Sequence, residues 1–250
     1  MSQDPIHLGR NTCDTCTVRH RAVCGALNDA ELTDLNRIGR IRKFKAGDII
    51  LADEEPTTFF ANIMSGVVKL EKTSADGRQQ IVGLVFASDF LGRAFSKANP
   101  YFAQAATDVE ACTFPQAAFE VLLRQHPGLE HRLFENTLNE LDSAREWMFV
   151  LGRKSAQEKV ASFLHLIAKR QPLVGCCHDA EASPHAARFE LPLTRADIAD
   201  FLGLTIETVS RQLSNLKRQG IIQLVSGREV VVPDLRLLES KAQGNDEAVA

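Results

Sequence analysis

No stretch of this 250-residue chain is apolar for long enough to span a bilayer, and no apolar leader precedes its polar start, so a cytoplasmic protein is expected. Without a leader a disulfide framework is disfavoured, and a chain of this length buries a core without covalent staples. The 7 histidines are scattered and no paired carboxylates stand out, so the parts of an acid–base site are missing. Positive charge is not in excess either: the net charge is −3, which excludes a uniformly basic nucleic-acid binder. Internal repeats and low-complexity tracts are absent. What remains, with 24% charged and 44% hydrophobic residues, has the composition of an ordinary globular protein of one or two domains.

Cysteine is scarce but concentrated. Three of the 6 fall within twelve residues, as Cys13-Asp14-Thr15-Cys16 and Cys24. A Cys-x2-Cys pair sets two thiolates on one turn, and Cys24 closes the loop over them. Zinc and iron–sulfur clusters both want four ligands. Cys112, between apolar residues at the end of a strand-like run, is the best fourth, whereas Cys176 and Cys177 are adjacent in a polar loop and serve no such site. A redox Cys-x2-Cys needs a βαβ setting that is not found here. Spacing alone favours zinc. Against zinc, its modules usually draw ligands as two local pairs, and Arg19, His20 and Arg21 suit a cluster that stays anionic.

Periodicity divides the rest. Residues 26–38 read as a short helix with Asn28 as N-cap. From Arg40 to Phe114 the period falls towards two between glycines, which predicts a β-sandwich or jelly roll. Pro115 to Leu123 reads as a short helix, and Pro127 opens a long one. On it Phe134, Leu141 and Met148 repeat every seven residues, with Thr137, Ala144 and Leu151 offset by three, the pattern of a dimer seam. A helix follows from Lys154 to Ile167, then a polar loop, and a strand over 189–193. Thr194 caps a helix to Leu202, Gly203 turns, and Thr205 caps a second helix to Gln219. A hairpin then flanks Ser226-Gly227.

Helix, glycine turn, helix, hairpin is the order of a winged helix-turn-helix. On its second helix Ile206, Val209, Leu213 and Leu216 form the apolar face. Glu207, Ser210 and Arg211 lie three and four apart on the other. Arg offers two parallel donors to guanine, Glu accepts from cytosine N4, and Ser reaches an edge or a phosphate. Thr194, Thr205 and Lys217 complete the candidate DNA-contacting set.

The run from Leu193 to Arg211 resembles the DNA-reading signature of the Crp/Fnr superfamily of bacterial transcription regulators, and Glu207-x2-Ser210-Arg211 is its Fnr-type form. Cys13-x2-Cys16-x7-Cys24 with Cys112, and Ala144 to Met148 around Trp147, look like the alphaproteobacterial FnrL/FnrN branch of oxygen sensors. The resemblance implies an α+β architecture. A cysteine-rich segment (1–25) would precede a jelly-roll-like β-roll (26–126), followed by a dimerisation helix (127–153), a winged helix-turn-helix (154–236) and a polar tail (237–250). It implies a [4Fe–4S] cluster on Cys13, Cys16, Cys24 and Cys112, with dimerisation through Phe134, Leu141, Ala144, Met148 and Leu151. The implied partners are double-stranded DNA at a TTGAT-N4-ATCAA-like palindrome and RNA polymerase. The cyclic-nucleotide branch carries Glu after a phosphate-loop Gly and a later Arg-Ser pair. Here Arg93 follows Gly92 and the later positions are Phe102-Ala103, so no cyclic nucleotide is expected. The alternatives are a structural zinc site in the same regulator, and an iron–sulfur enzyme.

Overall fold

A computed structural model describes residues 6–7, 13, 15–96, 98–170 and 185–245. The chain divides into two compact units, 1–143 and 144–250. In the first, a short strand β1 (Ile6–His7), a 3-10 turn (Val23–Ala26) and α1 (Asp29–Ile38) precede eight strands. These are β2 (Arg40–Phe44), β3 (Ile49–Leu51), β4 (Phe59–Ser65), β5 (Val68–Thr73), β6 (Gln79–Val85), β7 (Phe90–Leu91), β8 (Phe102–Ala105) and β9 (Val109–Pro115). They form two antiparallel sheets, ordered β1-β2-β9-β4-β7 and β3-β8-β5-β6. Alternation along each strand sends one set of side chains between the sheets: Ala61 and Ile63, Val68 and Leu70, Ala103 and Ala105, Val109 and Ala111.

The other face of the five-stranded sheet has its own core. Phe60 and Phe114 meet α2 (Gln116–Gln125) through Phe119, with ring centroids 5.6 and 5.3 Å away, and Leu32 and Leu35 of α1 close over them. Asn28 caps α1 as expected, accepting from Glu31 N–H at 3.0 Å while its own N–H donates to the Glu31 carboxylate at 2.9 Å. Helix α2 stops at His126, because a residue followed by proline is pushed out of helical geometry, and Pro127 then opens α3 (Pro127–Arg153). Leu129 and Leu133 at the start of α3 join the same core, beside Val23, Leu27 and the half-buried Cys13, Cys24 and Cys112.

The second unit holds the end of α3, then α4 (Ala156–Arg170), β10 (Ala187–Glu190), α5 (Arg195–Leu202), α6 (Ile206–Arg218), β11 (Gln223–Leu224), β12 (Glu229–Val232) and α7 (Leu235–Gln243). The three strands pair as β10-β12-β11. Helix α4 buries Val160, Phe163, Leu164 and Ile167, and packs on α6 and α7. It starts two residues later than the sequence suggests, since Ser155 N–H donates to the Glu158 carboxylate at 2.6 Å and ends the turn before it. The strand expected over 189–193 sits earlier, because Pro192 has no N–H for a ladder. The expected polar tail is corrected more substantially. Residues Leu235–Gln243 form a helix, capped by Asp234 and closed by Gly244, that buries Leu238 and Ala242. Cys176, Cys177 and most of the expected loop lie outside the described residues. Among the described residues no helix is long and apolar enough to cross a membrane.

Candidate functional site

The N-terminal cysteines ride on consecutive turns. Cys16 N–H donates to the Cys13 carbonyl at 3.4 Å, Arg19 N–H to the Cys16 carbonyl at 3.3 Å and Ala22 N–H to the Val18 carbonyl at 3.0 Å. Buried Val18, Ala22, Val23 and Leu27 pin these turns to the sheet. Glycine is required at 25, where a Cβ would stand 2.7 Å from the Arg19 carbonyl oxygen, so the backbone folds tightly behind Cys24. Cys112 comes from elsewhere. It sits on β9, the middle strand of its sheet, opposite Ile41 of β2 and Asn62 of β4.

All four of these cysteines line one cavity of about 30 Å³, with Arg19, Asn62 and Met64 among its other walls. Burial pushes the Cys24 thiol up to about 12, helped by Cys16 and Cys13, and burial pushes Cys112 up as well. Without a cation these groups stay protonated at neutral pH. Cys24 Sγ lies 3.9 Å from the Arg19 carbonyl and 3.9 Å from Asn62 Nδ2, whose N–H points at it. Among the described residues no three or more His, Cys, Asp or Glu side chains already converge on a metal-ion position. Four soft sulfurs around one space fit a thiolate-bound cluster by donor chemistry.

The helix-turn-helix is assembled by its caps. Thr194 Oγ1 accepts from Asp197 N–H and Asp197 returns the bond to Thr194 N–H, both at 3.1 Å. Gly203 takes the left-handed geometry (φ 61°) that lets Leu204 N–H donate to the Ala199 carbonyl at 3.0 Å. Thr205 Oγ1 accepts from Thr208 N–H at 3.2 Å and starts α6. Val209, Leu213 and Leu216 are buried, while Glu207, Ser210, Arg211 and Lys217 are exposed, as are Thr194 and Thr205. Ile206, expected on the apolar face, is 47% exposed, because as the first helical residue it precedes the packed turn. At 100° per residue the exposed Ser214 and Arg218 continue the stripe of Glu207, Ser210 and Arg211, whereas Lys217 falls to its flank. Backbone N–H and the Thr205 hydroxyl hold the Glu207 carboxyl below the usual range. Arg195 donates to the Gly227 carbonyl at 3.4 Å, tying α5 to the hairpin tip, a role hidden in sequence because its partner is a backbone atom.

On α3, Phe134, Leu138, Leu141, Met148 and Phe149 are exposed large apolar residues. Positions 134, 138, 141, 145 and 148 step by four and three, a second register beside the expected 134, 137, 141, 144 and 148, and both Thr137 and Leu138 are exposed. Ala144 is exposed but small, and Leu151 is half-buried. Trp147 instead turns to Phe201 of its own unit, ring centroids 4.6 Å apart.

Residues 158–241 match the Crp-like helix-turn-helix domain and residues 41–126 the cyclic nucleotide-binding domain. The chain is 43% identical to the transcriptional activator protein FnrL of Cereibacter sphaeroides, over 94% of this chain and 93% of that protein. It is 40% identical to the nitrogen fixation regulation protein FixK of Bradyrhizobium diazoefficiens, over 86% and 87%. In structure it resembles FixK2 from Bradyrhizobium japonicum, with TM-score 0.72 and 29% identity over 85% of this chain and 100% of that one. These relatives are regulators, not enzymes. A β-sheet unit, a long helix and a winged helix-turn-helix in this order place the chain in the Crp/Fnr family, as a dimeric DNA-binding transcription regulator of the FnrL/FixK type.

Proposed function

We propose that this regulator is oxygen-responsive, with a [4Fe–4S] cluster held by Cys13, Cys16, Cys24 and Cys112. The observation that carries the reading is that four cysteines from two distant stretches line one cavity, inside the same apolar core as Leu129 and Leu133 of α3. When bound, the cluster supplies an oxygen-labile cross-link between the N-terminal turns and β9. The protein's own residues do the rest. Val23 and Leu27 transmit the position of the turns to Leu129 and Leu133, and so to the helix that bears the dimer seam. A structural zinc site would use the same four sulfurs and is separated from the cluster by the metal and sulfide analysis below.

Two winged units per dimer suit two half-sites of a TTGAT-N4-ATCAA-like palindrome. Arg211 would donate to guanine, Glu207 accept from cytosine, and Arg195 steady the hairpin over the phosphates. As an activator it would engage RNA polymerase, in the cytoplasm. Cyclic nucleotide binding is not part of the proposal: Arg93 is exposed, Phe102 is half-buried and Ala103 lies in the core, which leaves a phosphate no buried counter-charge. The test is iron and acid-labile sulfide analysis of anaerobically purified protein, with palindrome binding measured before and after air. Brown protein that loses sulfide and DNA affinity together is the expected result; colourless zinc protein indifferent to air would overturn it.

A further inference from the structure

We propose that Asn62 is the hydrogen-bond donor to the Cys24 thiolate, a positioning residue that sets how firmly the cluster is held and at what potential; this rests on the cluster reading above. Asn62 is out of place by every other criterion. It lies on β4, hydrogen-bonded beside Cys112 in the middle of a sheet, where asparagine is disfavoured. Only 2% of it is exposed, on the face that carries Phe60 and Phe114. Its Oδ1 is buried with no hydrogen-bond partner among the described residues, a costly arrangement. Its Nδ2 points at Cys24 Sγ from 3.9 Å, a long contact to a neutral sulfur.

The arrangement makes sense once the sulfur is charged. An N–H···S bond strengthens when the acceptor is ionised, and four thiolates around a cluster leave a net negative charge. Among the described residues, Arg19 and Asn62 are the only nitrogen-bearing side chains that line the cavity, and Arg19 shares its charge with Asp29 at 3.2 Å. Asn62 is then the neutral donor committed to the sulfurs. Hydrogen bonds to sulfur favour the more reduced, more negative state and raise the potential.

Asn62→Leu and the smaller Asn62→Ala both remove the donor. In the full-length metal-free chain, Asn62→Leu should raise the melting temperature by about 2–4 °C, since an orphaned polar atom leaves the core. After anaerobic loading, both variants should lose their thiolate-to-iron absorption severalfold faster in air than wild type, and titrate at a lower reduction potential. Wild-type lifetime and potential in both variants would overturn the assignment. So would a lifetime that follows the metal-free melting temperature, longer in Asn62→Leu, since Asn62 would then act only on the fold. Wild-type protein that takes up zinc and no sulfide would instead overturn the cluster reading itself, before any variant is compared.

Discussion

Cys24 is a thiol held in an apolar setting, and its chemistry gives a pH signature to the metal-free protein. Its folded value is raised to about 12 from 9.0, chiefly by burial. A raised value means that the folded state keeps its proton longer than the unfolded chain. The stabilisation is therefore complete below about pH 9 and is lost as the pH climbs towards about 12. Thermal melts of metal-free protein should show that decline, and Cys24→Ala should lessen it, with buried Cys112 supplying the remainder. Each of Cys13→Ser, Cys16→Ser, Cys24→Ser and Cys112→Ser should prevent stable loading, as read by iron and labile sulfide, because a hydroxyl is a poor iron ligand. On α6, Arg211→Ala should cost about 1–3 kcal/mol on the specific site and relax preference at the guanine it reads. Titration against the palindrome and against random DNA checks this; equal losses on both would mean a phosphate contact instead. Cysteines and recognition residues were legible because reactive types stand out at fixed spacing. Asn62 and Arg195 were not, since a lone amide in a strand-like run and a cation near a cap have meaning only beside their partners, Cys24 Sγ and the Gly227 carbonyl.

At the level of elements, legibility followed local signals. Capping residues marked α1, α5 and α6 well, because a cap bond is made within three residues of its donor. Helix α7 was missed although Asp234 and Gly244 bracket it. Its apolar residues Leu235, Leu238 and Ala242 are diluted by charge, and its stability comes from α4, more than sixty residues earlier. The α3 seam admits two registers at its second positions, because heptads allow an offset of three or four, and Thr137 and Leu138 are both exposed. Leu138 is 44% exposed and offers more apolar surface than Thr137. Leu138→Ala should therefore weaken dimerisation by about 2–5 kcal/mol per buried copy, whereas Thr137→Ala should change it little. Sedimentation equilibrium of the two variants decides which register forms the interface.

For the whole molecule the seam is modest. Arg145 occupies one of its positions, Gly152 would be the next, and Glu135, Glu140, Asp142 and Glu146 place like charges near their copies in a parallel pair. Such a dimer is marginal by itself. A coupling of about 1–3 kcal/mol from the cysteine turns through Leu129 and Leu133 then shifts affinity by roughly 5–150-fold. Analytical ultracentrifugation of the loaded protein should show dimer before air and a dissociating population after it, with palindrome binding lost in step. A protein that remains dimeric yet releases DNA would assign the switch to domain orientation.

The four sulfurs differ in what stands behind them. Cys112 is fixed by a strand paired on both edges, while the other three are carried on turns. On the proposed cluster reading, loss of the cross-link would leave a standing template with one short arm to return, not a fold to rebuild. Closing a loop of about ten residues takes on the order of 10–100 ns. Recovery is then governed by supply: the rate at which an aired sample regains its function should scale with the iron and sulfide offered, with no slow refolding phase. On the proposed cluster reading, the molecule would behave as a reusable gauge, reset by the supply of iron and sulfide without new synthesis.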